Sequence, residues 1–149
     1  MKKYYQPSIE DLFIGYECET CVLPLYDGDP GGFFGDTILD DSNIRAVYDE
    51  DWAIQTKYLD KEDVESLGWK YSEDAFHRKI IEEKGEVYNP THYWFVCNGY
   101  GLTWYPNRDT IQITDDRQHF MMPIIVYSGP IKSINELRKL MQWLNIKDN

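Results

Sequence analysis

The chain has 149 residues, 42% hydrophobic and 15% aromatic with twelve tyrosines and five tryptophans, a composition that excludes intrinsic disorder as its main state and suits one folded domain over 1–149. Three cysteines are too few for a disulfide framework and fit a reducing compartment. The net charge of −11 lies in the first half: residues 1–75 carry 18 Asp and Glu against 6 Lys and Arg, whereas residues 76–149 carry 8 against 9.

Residues 12–23 alternate aromatic and β-branched with polar residues, and Pro24 closes the run, so a first strand is predicted there. Residues 24–43 hold four glycines and two prolines and predict a long loop. Residues 44–50 and 52–58 predict two strands about a turn at Asp49–Asp51, with Trp52, Ile54, Thr56 and Tyr58 on one face. Asp60 caps a short helix ended by Gly68, with Asp63 completing a capping box. Trp69–Tyr71 start a strand, and 75–84 read equally as helix or twisted strand.

After Pro90 the pattern is β. The runs 93–97 and 100–105 flank Asn98-Gly99, the strongest short-range hairpin signal. Strands at 110–114 and 119–127 follow, and Pro123 makes the second an edge or bulged strand. Ser133 and Glu136 form a capping box before a helix whose Ile134, Leu137, Leu140, Met141 and Leu144 make one apolar stripe. The expected class is α+β: a mostly antiparallel sheet, a short middle helix and a C-terminal amphipathic helix packed on the sheet.

Chemical handles are few. Cys18 and Cys21 have C-x-x-C spacing, but zinc wants four ligands. Completion would need His92 and Cys97, with His77 and His119 as the remaining candidates. On a strand the two thiols point to opposite faces, and Glu17 and Glu19 disfavour thiolates, so structural cysteines are expected, with no metal and no cofactor. An EF-hand read from Asp27 has Gly31 at position 5 and Ile38 at position 12, so the bidentate acid is missing. Asp115, Asp116, Arg117 and His119 form the most enzyme-like group, but they also suit a polar turn and no nucleophile motif accompanies them.

Binding is the better expectation. Phe33 and Phe34 sit in the Gly-rich loop, either folded back as a core plug or presented as an anchor. Asp36, Asp40, Asp41, Asp49, Glu50 and Asp51 supply acid around them. Such a surface repels nucleic-acid phosphate and attracts a partner with a basic surface. No apolar run approaches the length of a membrane span, and the N-terminus lacks the apolar core of a secretory signal.

Three stretches resemble motifs of one family. I-E-D-L-F-I-G-Y-E-C-E near the start, Y-L-D-K-E-D-V-E-S-L-G-W in the middle and I-K-S-I-N-E-L-R-K-L-M-Q-W-L-N-I at the end are similar, in the same order, to a family of small uncharacterised proteins of Bacteroidetes-infecting tailed phages and prophages. In the opening motif Cys18 stands where that family has an aromatic residue. The resemblance implies an origin, a setting in the cytoplasm of an infected bacterium and a host or phage protein as partner. It carries no catalytic residues. The expected function is a non-enzymatic protein-binding factor of host-takeover or anti-defence type. A virion or assembly component, or a small enzyme built on the Asp115–His119 turn, is the alternative.

Overall fold

The structure is a computed structural model and describes residues 4–72, 82–85, 91–117 and 123–147. The fold is α+β, as expected, but with two antiparallel sheets. The chain divides into two compact units, Met1–Tyr58 and Leu59–Asn149, and each has its own hydrophobic cluster.

The first unit contains β1 (Tyr4–Tyr5), β2 (Glu17–Val22), β3 (Gly35–Ile38), α1 (Ile44–Tyr48) and β4 (Trp52–Lys57). Its sheet has the order β1-β4-β2-β3. Tyr16, Cys18, Leu39, Val47 and Ile54 are buried together with Leu12. The predicted face of β4 holds: Ile54 and Thr56 are buried, and the Thr56 hydroxyl lies 3.3 Å from the Tyr16 hydroxyl.

Three predicted boundaries in this unit are corrected. The first strand starts at Glu17 and not at residue 12, because a 3₁₀ turn at Ile9–Asp11 and left-handed Gly15 precede it. The long loop contains β3, which pairs antiparallel with β2. Residues 44–48 are a helix and not a strand. Its signal lies upstream: the Asp40 carboxylate accepts from the backbone N–H groups of Ser42 and Asn43, organising the chain into the helix start. The turn at 49–51 closes the helix. Glu50 N–H reaches Val47 O, Asp51 N–H reaches Ala46 O, and Glu50 itself is left-handed with φ 61°. This is a Schellman closure with glutamate in the place usually taken by glycine.

The second unit contains α2 (Lys61–Ser66), β5 (Lys70–Tyr71), β6 (Tyr93–Cys97), β7 (Tyr100–Tyr105), β8 (Thr110–Asp115), β9 (Ile124–Pro130) and α3 (Ile134–Trp143). Its sheet runs β5-β6-β7-β8-β9 in spatial order. Asp60 and Asp63 form the expected capping box, and Gly68 has the expected positive φ. Asn98 and Gly99 both have positive φ, as a type I′ hairpin turn requires. β9 starts immediately after Pro123 and is the edge strand, with a register shift opposite Ile113 and Thr114. Residues 73–81 and 118–122 lie outside the described residues, and with them most of the segment that reads as helix or strand and the start of the strand expected from 119.

Leu137, Leu140 and Met141 of α3 join Phe95, Leu102, Ile111 and Ile113 of the sheet in one core, with Ile134 and Leu144 partly buried against it. The expected Ser133 capping box does not form. The Ser133 hydroxyl is buried without a hydrogen-bond partner among the described residues, and Glu136 accepts instead from the N–H of Lys132 at 2.6 Å. A working N-cap serine loses about 1 kcal/mol on change to alanine. Ser133→Ala is therefore expected to be neutral or stabilising here, because it deletes an unpaired buried hydroxyl. Urea unfolding measures this directly, and a loss near 1 kcal/mol would restore the capping role. Among the described residues no helix is long and apolar enough to cross a membrane.

Candidate functional site

The charge imbalance follows the division into units. Residues 1–58 carry twelve Asp and Glu against four Lys and Arg, while residues 59–149 carry fourteen against eleven. Within the first unit, strand register decides which acids share a neighbourhood. Val22 pairs with Trp52, and the N–H of Leu23 donates to Asp51 O at 3.0 Å. The 23–34 loop and the 49–51 turn therefore emerge from the same end of the sheet. Phe33, Phe34, Asp49, Glu50 and Asp51 belong to that end.

Asp36 lies on β3, opposite Glu19 in register. Asp40 and Asp41 follow the far end of β3, where Ile38 pairs with Glu17. Asp40 has a structural task there, and its bonds from Ser42 and Asn43 hold its carboxyl below the usual range. The eight expected binding residues thus separate into one group of five at one end, Asp36 midway along an edge, and two at the opposite end.

The loop end is richer in apolar surface than the two phenylalanines suggest. Phe33 is 99% exposed and Phe34 45%, and neither ring joins a hydrophobic cluster. Val22, Leu23, Leu25 and Tyr26 are exposed beside them. In the sequence, L-P-L-Y next to the glycines is the available sign, since proline and glycine mark a surface turn. The loop is tied rather than slack. The Asp29 carboxylate accepts from Leu25 N–H at 3.0 Å and Gly31 N–H at 3.1 Å, bonds that hold its pKa down. Gly32 N–H reaches Val22 O at 2.9 Å, and the Cys21 thiol donates to Gly32 O at 2.8 Å. The backbone that carries six exposed apolar side chains is thereby held among acids. Preorganisation of this kind lowers the entropy lost on binding.

The outward face of the first sheet continues the acid. Glu17 and Glu19 alternate with Cys18 on β2, and Asp36 faces Glu19 across the strand pair. Glu19 accepts from the Tyr4 hydroxyl at 3.0 Å and the Gln55 amide at 2.5 Å. The bond to Glu19 raises the Tyr4 pKa.

Cys18 and Cys21 fall on opposite faces of β2, as alternation requires. Cys18 is buried with its thiol 3.7 Å from Thr37 O, and burial, with a lesser push from Glu19, raises its pKa to about 11. Such a thiol stays protonated and unreactive at neutral pH. Cys97 and His92 belong to the second unit, and none of the three cysteines forms a disulfide. His77 and His119 lie outside the described residues. Among the described residues no group of three or more His, Cys, Asp or Glu side chains is placed to hold a metal ion.

The Asp115–Arg117 turn is a clamp. Asp115 accepts from Arg117 Nε at 2.9 Å and Nη2 at 2.7 Å, and the guanidinium lies 4.6 Å from the centre of the Tyr100 ring. The bonds from Arg117 bring the Asp115 pKa from 3.8 to about 2. A carboxylate so stabilised is a weak base. Because its folded pKa is depressed, Asp115 stabilises the fold above pH ~4, and that contribution is lost as pH falls toward 2. Asp115→Asn is expected to flatten the acid limb of a plot of Tm against pH between about 4 and 2. An unchanged limb would remove the ion pair from the account.

No protein-family model matches the chain, and searches of curated proteins and of solved structures find no similar chain.

Proposed function

We propose that this protein is a non-enzymatic binding factor whose acidic first unit engages a basic surface on another protein. One observation carries the reading: six exposed apolar side chains, Val22, Leu23, Leu25, Tyr26, Phe33 and Phe34, lie on a hydrogen-bonded loop at the end of the sheet from which the Asp49–Asp51 turn also emerges. Apolar anchors supply affinity, and surrounding like-sign charge steers an oppositely charged partner and sets its orientation. The resemblance to small proteins of Bacteroidetes phages makes that partner a host or phage protein. The setting is then the cytoplasm of an infected cell, and the effect is inhibition of a host factor through its basic groove.

The test is capture from host lysate with the tagged full chain, at about 50 mM and about 500 mM salt, the range over which exposed charges become screened. A partner held at low salt and released at high salt is expected. The triple change Asp49→Asn, Glu50→Gln, Asp51→Asn is expected to reduce capture at low salt. Capture indifferent to salt and to these changes would overturn charge-led binding. Recovery of the chain in fixed stoichiometry from purified virions would replace the reading with an assembly role.

A further inference from the structure

We propose that β3 is the edge onto which an extended segment of the partner, with apolar and basic residues alternating along one face, adds as a fifth strand. This rests on the binding function above and gives its mode. β3 is an edge strand of the first sheet, with β1 at the other edge. Leu39 N–H donates to Tyr16 O at 2.9 Å, which sets the phase of the β2–β3 ladder. Alternation then directs the backbone groups of Gly35 and Thr37 toward β2, and those of Asp36 and Ile38 toward the open side. The Asn43 side chain supports this phase, because its amide donates to Ile38 O at 3.1 Å from outside the sheet. Among the described residues, Asp36 N–H, Asp36 C=O and Ile38 N–H remain on the open edge.

The side chains give that edge a recognisable pattern. Asp36 and Ile38 share the outward face with Glu17 and Glu19, and Phe34 precedes them at the same parity. Phe34 and Ile38 are exposed, Ile38 by 63%, and Asp36 stands between them. Glu19 already has two donors, Tyr4 and Gln55, whereas Asp36 faces it as a like charge in direct register. Like charges directly opposite destabilise a strand pair. A Lys or Arg laid against Asp36 offsets that repulsion, while apolar residues two positions to either side cover Phe34 and Ile38. Main-chain bonds provide affinity in strand addition, and alternate side chains provide specificity. A second copy of the chain does not fit: a two-fold pairing centred on Asp36 sets aspartate against aspartate, in a protein of net charge −11.

The experiment uses the full chain and a fluorescent eight-residue peptide, Thr-Val-Thr-Lys-Thr-Val-Thr-Lys, whose one face alternates valine and lysine, read by anisotropy. One control has the same composition in two blocks, and a second is N-methylated at alternate positions. The alternating peptide is expected to bind about tenfold or more tightly than either control, since only it can complete both the ladder and the charge pattern. Asp36→Asn and Ile38→Pro are each expected to weaken it by about tenfold; the proline removes an outward N–H and spares the β2 ladder. Should Ile38→Pro fail to fold, the N-methylated peptide against the unaltered chain reads the same bond. Equal binding of the three peptides, or no binding of any, overturns strand addition. Lysate capture separates the two readings. A partner retained by Ile38→Pro leaves the binding function standing and removes this mode, whereas no partner for the unaltered chain removes the function.

Discussion

Trp69→Ala is expected to destabilise the second unit by about 3–5 kcal/mol, the range for removing a large aromatic side chain from a packed core. Trp69 is 1% exposed and sits in the cluster with Val64, Leu67, Phe95 and Met141. Its indole N–H points at the Met141 sulfur, 3.2 Å away. The donor leaves with the ring, so the penalty comes from lost burial and from the cavity. Trp69→Phe keeps much of the apolar volume and is expected to cost less. Urea unfolding followed by circular dichroism provides the readout. A loss under about 1 kcal/mol for the alanine variant is an ordinary surface-substitution value and would place Trp69 outside the core.

The second large effect is on association. Phe33→Ala combined with Phe34→Ala is expected to leave the unfolding midpoint within the error of a surface change. The same variant is expected to weaken the partner complex by about 30-fold or more, as removal of a hot-spot aromatic does. The sequence leaves two fates open for this pair, plug or anchor, and they predict opposite outcomes. A large stability loss with binding retained would return the rings to the plug.

Where neighbouring residues alone determine the local structure, it was legible in the sequence. Asp60 with Asp63, Gly68, Asn98-Gly99 and the α3 stripe are of this kind, and all four appear in place. The failures occur where a distant partner decides. Gly35–Ile38 is a strand because β2 offers it a ladder, and four residues after a Gly-rich stretch carry no period of their own. Ile44–Tyr48 has β-branched residues at both Ile44 and Val47, yet the Asp40 bonds upstream and the Glu50 closure downstream make it helical. Ser133 shows the reverse error: its motif is complete, but Glu136 bonds one residue earlier than the motif requires. The candidate site was half visible. Its aromatic and acidic residues could be named, but their division between two ends of a sheet depends on register. Tyr4, Gln55 and Asn43, which set the character of the β3 edge, carry no local sign of that role.

The two cores also differ in when they can exist. Every residue of the first lies before residue 59, and β1 closes on β4 through the Tyr4–Lys57 register. The second core contains Leu137, Leu140, Met141 and Ile146, and the Asn98 side chain of its hairpin donates to Lys147 O. A ribosome adding roughly 5–20 residues per second releases the first unit's whole sequence several seconds before the last strand and helix of the second. The acidic unit can thus complete its sheet during translation, while the second waits for α3 to leave the exit tunnel. A tyrosine or tryptophan probe in each unit on stalled nascent chains should report the first as folded while the second is still open.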